Sequence, residues 1–375
     1  MKINISIITF IILVFIVIPS ELIGQLVVKQ DIDSVDNKSY LFPWTGGMDA
    51  LQYCEVDLNI DGIMDIMVFD RRGNRSMCFI NGGLPNTIDY KYSPEYSLLL
   101  PSFNDWVIFK DYNMDGKKDI FTYSPGYGSM MVYKNISSDV LKFELVAYPY
   151  LKTLFPGGWV NLFVTNADYP GIADVDNDGD LDILTFGVLG SFIDMHKNMS
   201  IEKYGTPDSL YYEHYTYCWG HIAESDESNQ LYFDTCLPGS YMISPGISRK
   251  DRHTGSTLLL HDMDDNGKVD LLLGDVDYPK LFALYNTGTF EDAYITEADT
   301  LFPSNTHAVW MFSMPSAAYI DVNNDDIKDL LISPFDPGII TSRNKASSWL
   351  YINNGTNTPP VFEDPDVNFL QNEMI

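Results

Sequence analysis

The stretch Asp174–Gly187, DVDNDGDLDILTFG, sets five aspartates in nine residues and follows them at once with an apolar, β-forming run. Two carboxylates ~4 Å apart repel by about 1 kcal/mol at water-like dielectric and by about 4 kcal/mol at a protein-surface value. Left without a counter-charge, such a stretch would splay. The pattern, an acid or Asn at positions 1, 3, 5 and 9 ahead of a strand, recurs at Asp57 (DLNIDGIMDIMVF), Asp111 (DYNMDGKKDIFTY), Asp262 (DMDDNGKVDLLLG) and Asp321 (DVNNDDIKDLLIS).

The loops begin 54, 63, 88 and 59 residues apart. A unit of about 55–60 residues therefore repeats, with one insertion between the third and fourth copies. Behind each loop follows an apolar segment ending in Asn or Gly: MCFINGG, MVYKNIS, FIDMHKN, LFALYNTG and WLYINNGT. Ahead of four loops lies a proline step, at Leu41–Pro43, Leu99–Pro101, Leu154–Pro156 and Leu301–Pro303. Each unit reads as strand, acidic hairpin, strand, turn, strand, then a fourth strand such as KFELVAY. No long stretch sustains the 3.6-residue period of a helix.

Four short strands cannot hide both faces of their sheet, and packing such sheets radially solves that problem. A row of separate β-sandwiches would need about 100 residues per module. The fold class is therefore all-β, a β-propeller of four-stranded blades at roughly 41–97, 98–151, 152–204, 246–300 and 301–358, with an insertion at 205–245. The tail 359–375 reads as the lead-in to a further blade, which implies a propeller of about seven blades cut short. The alternative is a five-bladed ring whose last strand closes against Leu26–Lys29.

Nineteen of the 52 acids lie in the five nine-residue windows. A hard divalent cation turns their repulsion into attraction when side chains at positions 1, 3 and 5, a carbonyl at 7 and a carboxylate at 9 wrap it with oxygen. The candidate ligands are Asp57, Asn59, Asp61, Ile63 and Asp65; Asp111, Asn113, Asp115, Lys117 and Asp119; Asp174, Asp176, Asp178, Asp180 and Asp182; Asp262, Asp264, Asn266, Lys268 and Asp270; and Asp321, Asn323, Asp325, Ile327 and Asp329. Calcium, up to five ions, suits a flexible loop of many oxygens better than magnesium does. Glycine at position 6 lets the chain turn through positive φ. An EF-hand is excluded, because it needs a glutamate at position 12 between two helices. Here position 12 is Val68, Thr122, Thr185, Leu273 or Ile332.

The spacing D-x-[DN]-x-[DN]-G-x-x-D before an apolar strand resembles the FG-GAP and VCBS-type repeats of the integrin α-subunit propeller and of exported bacterial proteins. The resemblance covers the chain after residue 24, apart from 205–245. The fourth copy carries Asn266 at position 5, and the fifth carries Asp326 where glycine is expected, which costs roughly 1 kcal/mol in the left-handed region. The resemblance implies calcium ions that brace the blade hairpins at one face, with ligands taken by other loops.

Lys2, the apolar run Ile5–Ile18, then Pro19, Ser20 and Gly24 have the order of a secretory signal peptide over residues 1–24. The apolar run is short of the ~20 residues that span a bilayer, so no membrane span is expected after cleavage. Export to a secreted or cell-surface location allows disulfides. Cys218 and Cys236 are placed to close a polar loop. Cys54 and Cys78 fall on strands two apart, about 9.6 Å, too far to bridge. The formal charge of −29 argues against nucleic acid and anionic membranes as partners.

These features point to an exported binding or adhesion scaffold with a protein or carbohydrate ligand at the cell surface. The Tyr-rich insertion, with Trp219, His214 and His221, suits recognition, while the recurring Trp106, Trp159 and Trp310 suit packing between blades. A polysaccharide lyase or hydrolase on the same scaffold would need two carboxylates outside the loops, and no zinc, nucleophile-elbow or Walker motif marks a catalytic site. A third reading is a purely structural module of a larger surface protein.

Overall fold

The computed structural model describes residues 34–35, 38–42, 45–46, 48–188, 190–225, 228–236, 255–276, 278–312, 314–336 and 345–374. The leader 1–24 and the Leu26–Lys29 segment lie outside them. The chain falls into two units, Met1–Ser39 and Tyr40–Ile375. In the first, β1 (Ser34–Val35) pairs antiparallel with β2 (Lys38–Ser39).

The second unit is a five-bladed propeller. β3 (Leu51–Val56), β4 (Asp65–Asp70), β5 (Arg75–Asn81) and β6 (Tyr90–Tyr92) form the first antiparallel blade. β7 (Val107–Lys110), β8 (Asp119–Ser124), β9 (Ser129–Asn135) and β10 (Phe143–Ala147) form the second. In the third, a hairpin of β11 (Lys152–Phe155) and β12 (Gly158–Asn161) extends the outer edge of β13 (Gly171–Ala173), β14 (Asp182–Phe186), β15 (Ile193–Asn198) and β16 (Tyr212–Thr216). A short helix, α1 (Ser200–Tyr204), joins the last two of these strands. The insertion proper adds a hairpin of β17 (Ile222–Glu224) and β18 (Leu231–Phe233). β19 (Ser256–His261), β20 (Asp270–Asp275), β21 (Leu281–Asn286) and β22 (Ile295–Asp299) make the fourth blade, and β23 (Pro315–Ile320), β24 (Asp329–Pro334) and β25 (Trp349–Tyr351) make the fifth. Among the described residues no helix is long and apolar enough to cross a membrane.

Two boundaries differ from the sequence reading. The fourth strand of the third blade is β16, inside the stretch 205–245 that was assigned to the insertion, because β15 needs an antiparallel partner and residues 212–216 supply it. Among the described residues the tail 359–374 opens no sixth blade. Phe362 and Asp366 instead bridge antiparallel to Asn353 and Leu350, completing the fifth sheet, and the Phe42 N–H then donates to the Glu373 carbonyl at 2.8 Å.

Radial packing explains the sequence pattern. The second strand of a blade is covered on both faces, so β4, β20 and β24 are buried over all six residues and read as DIMVFD, DLLLGD and DLLISP without alternation. The outer strand β10 is exposed at its centre. One apolar cluster fills each seam: Phe69 with Phe109 between blades one and two, Trp106 with Ile183 between two and three, Met195 with Leu271 between three and four, Leu272 with Tyr351 between four and five, and Leu331 with Ile66 between five and one. Hydrogen bonds cross the seams as well. Gln52 Oε1 accepts the Val107 N–H at 2.8 Å, Tyr169 OH donates to Val107 O at 3.1 Å, Leu258 N–H donates to Tyr169 O at 2.9 Å, Thr257 Oγ1 donates to Pro315 O at 2.7 Å, and Ser333 Oγ donates to Leu51 O.

On the face away from the acidic hairpins the buried Arg71 guanidinium reaches across the axis. It donates to the carbonyls of Asp105, Phe335 and, at 2.7 Å, Asn166, which belong to the second, fifth and third blades. Burial pushes its pKa down to about 10. A charge so placed has to be fully hydrogen-bonded to be tolerated.

Candidate metal centres: the five acidic hairpins

Each acidic stretch is the turn between the first and second strands of its blade, so all five lie on one face. The geometry repeats closely. The first aspartate accepts the N–H of position 6 at 2.9, 2.7, 3.1, 2.8 and 2.9 Å in Asp57, Asp111, Asp174, Asp262 and Asp321. The fifth side chain accepts the N–H of position 7 at 2.8–3.1 Å, at Ile63, Lys117, Asp180, Lys268 and Ile327. The chain turns through positive φ at position 6, and Asp326 takes φ 67° where the other copies have glycine. Position 4 is left-handed too, at Ile60, Met114, Asn177, Asp265 and Asn324, which no glycine had signalled.

The ninth aspartates Asp65, Asp119, Asp182, Asp270 and Asp329 are 0–1% exposed. One oxygen of each accepts the N–H of position 2, at Leu58, Tyr112, Val175, Met263 or Val322. The other accepts the N–H of an Asn that ends the third strand or, in the fifth blade, lies two residues past it, at 2.8, 2.7, 2.9, 2.7 and 2.9 Å from Asn81, Asn135, Asn198, Asn286 and Asn353. Those asparagines are the members of the candidate site that the spacing alone did not reveal; the Asn closing each apolar segment was their signal. Burial raises the ninth carboxyls, against these hydrogen bonds, to about 6 for Asp65, Asp270 and Asp329 and about 7 for Asp119, with neighbouring loop carboxylates adding to the rise.

The donor set fits a hard cation. The carboxylates of Asp174, Asp176 and Asp182, and those of Asp262, Asp264 and Asp270, each bring three oxygens within 4.8 Å of one another. In the second loop the buried Asn113 Oδ1 has no hydrogen-bond partner among the described residues. A carboxylate oxygen bound to one N–H keeps a lone pair for a metal.

The third loop differs. Lys197, from β15, pairs with Asp176, with Asp178 at 3.5 Å and with Glu202 of α1 at 2.6 Å. An internal ammonium thus partly neutralises the most acidic copy. Among the described residues no lysine or arginine pairs with a carboxylate of the other four loops within 4.0 Å.

The aromatic expectations are partly overturned. Trp106 is fully buried between blades, whereas Trp159 and Trp310 stand 48% and 61% exposed, because the hairpin β11–β12 carries Trp159 outward and Trp310 lies in a connector over Lys280, 5.7 Å from its ring. Trp219 and His214 of the insertion are not free for recognition: Trp219 packs in the seam between blades three and four, and His214 stacks on Phe155 at 4.3 Å. His221 pairs with Asp292 at 2.8 Å. Cys218 and Cys236 form a disulfide, and Cys54 and Cys78 are free and buried on the first and third strands of their blade. Outside the loops Glu224 and Asp275 are buried together, with Ser256 Oγ donating to Glu224 at 3.0 Å. The described residues beside them enclose only about 10 Å³, too little for a sugar ring.

No family model matches this chain, and no curated protein is similar to it in sequence. Among solved structures it is distantly similar to an Agrocybe aegerita lectin that recognises non-reducing terminal N-acetylglucosamine, at 13% identity and a TM-score of 0.32 over 85% of this chain and 66% of that one. It is also similar to an N-acetylgalactosamine deacetylase from F. plautii solved with blood group B trisaccharide, at 10% identity and a TM-score of 0.36 over 83% and 84% of the two chains.

Proposed function

We propose that the protein is an exported, calcium-braced propeller of the FG-GAP/VCBS type that serves as a binding or adhesion scaffold for a protein or carbohydrate ligand at the cell surface. The observation that carries the calcium reading is the fivefold repetition of one hydrogen-bonded loop around a buried ninth carboxylate. A solvated acidic turn has no reason to bury that group five times, since an ionised carboxylate pays heavily for leaving water unless it is paired. The ligands are the side chains at positions 1, 3, 5 and 9 and the carbonyl at 7. The ion supplies charge neutralisation and clamps the hairpin to the end of the third strand. Among the described residues four loops offer their acids without an internal cation, and the third must displace Lys197, so it is the weakest site.

For the ligand, the exposed aromatic group of the third blade supports a surface role. Trp159 meets Tyr211 edge-on at 4.9 Å, Tyr204 lies 6.4 Å from Tyr211, and Lys203 sits 4.3 Å over the Tyr211 ring. Equilibrium dialysis with radioactive calcium tests the reading. It should give four or five ions per chain, with one fewer in each of Asp119→Asn and Asp270→Asn and no change in Trp159→Ala. Less than one ion bound per folded chain at millimolar calcium would remove the calcium assignment.

A further inference from the structure

The first strands of the five blades surround an axial cavity of about 110 Å³. Arg71 lies across the axis on the face away from the loops and spends its donors on three backbone carbonyls. The loop-face end is different in kind. Lys110 ends β7, and Lys118 and Lys328 stand at position 8 of the second and fifth loops, just ahead of β8 and β24; all three line the cavity. At position 8 the other three copies carry Met64, Leu181 and Val269. Both position-8 lysines thus come from the two blades that flank the first.

The charge balance of this lining is the reverse of the chain's. Overall the acids outnumber the bases 52 to 23, yet the titratable lining holds three lysines against one acid, Glu55, apart from tyrosines and a buried thiol. Glu55 lies 3.7 Å from Lys118. Among the described residues Lys110 and Lys328 have no carboxylate partner within 4.0 Å. Half-buried like charges held together repel unless an anion sits between them. We propose that the loop-face mouth of the axial cavity binds an oxyanion, a carboxylate or sulfate, seated between Lys110 and Lys328 with Lys118 beside them. The cavity admits one such group with a few waters, so the ligand is either a free oxyanion or the acidic end of a saccharide entering from the loop face.

The site stands independently of calcium, although filled loops would add positive charge around the mouth and tighten it. Isothermal titration of the purified protein at constant ionic strength, in calcium and again in chelator, uses sodium sulfate, D-galacturonate and neutral D-galactose as probes. The expected result is one anion per chain, no binding of galactose, and affinity weakened at least about tenfold in Lys110→Met and Lys328→Met but unchanged in Lys91→Met on the outer strand of the first blade. Tighter galacturonate than sulfate would mark a saccharide-borne ligand, and equal affinities a free oxyanion. The proposal is overturned if neither anion binds the folded protein in either condition, or if the cavity variants bind as Lys91→Met does. Melting curves of the same variants show that each is folded, and the calcium assignment fails separately, by absence of a calcium-induced shift.

Discussion

A carboxylate with essentially no exposed surface has to be satisfied on both oxygens, and the ninth aspartates are, by the N–H of position 2 and the N–H of the strand-ending asparagine. Asp119→Ala leaves two buried N–H groups without acceptors and should cost about 2–4 kcal/mol in urea unfolding, metal or no metal. Asp326 holds φ 67° at a turn that four copies give to glycine. Asp326→Gly should therefore stabilise by up to about 1 kcal/mol in the same assay, because glycine adopts that conformation without the Cβ clash. At this scale the pattern of acids was legible, since side chains two apart in a tight turn face one centre. Lys197 was not: its place in the third loop comes from strand pairing, which leaves no mark on the residues around it.

The hairpin with its loop behaves as one titrating element. Burial holds Asp65, Asp270 and Asp329 near pKa 6 and Asp119 near 7, above the ordinary 3.8. Between about pH 4 and 7 the metal-free fold therefore binds more protons than the unfolded chain, and its stability falls as pH rises through that window. In chelator the melting temperature should be higher at pH 5 than at pH 7.5. In saturating calcium the order should flatten or reverse, because protons then compete with the ion. Circular dichroism melts at the two pH values check the sign. Strand order within a blade was readable from the apolar runs. The true fourth strand of the third blade was not, because outer strands such as β10 are exposed and lack a continuous apolar signature, and β16 lay hidden among the tyrosines of the insertion.

Across the whole molecule, closure is what the repeat had to achieve. The fifth loop reaches the first blade through Asn324 and Asn81 at 2.8 Å and through Thr87 N–H to Asn323 O at 2.7 Å, as the fourth reaches the fifth through Asp265 and Thr358 at 3.3 Å. The seam between last and first blades is therefore built like another seam of the ring. The count of acidic loops matched the blades, but a tail that completes its own sheet and a lead-in to another look alike in sequence, and the pairings of Phe362 with Asn353 and of Asp366 with Leu350 separate them. Arg71 ties the opposite face, so Arg71→Met, which abandons three carbonyls, should lower stability by about 2–4 kcal/mol without changing calcium stoichiometry, as unfolding and dialysis together would show. If each of five sites adds about 1.4 kcal/mol at ten times its dissociation constant, the total is about 7 kcal/mol. The most direct measurement is the thermal melt at pH 7.5 in millimolar calcium, in magnesium and in chelator. Calcium alone should raise the midpoint by about 10 °C or more; identical melts of a well-folded protein in all three would show that no ion braces the ring.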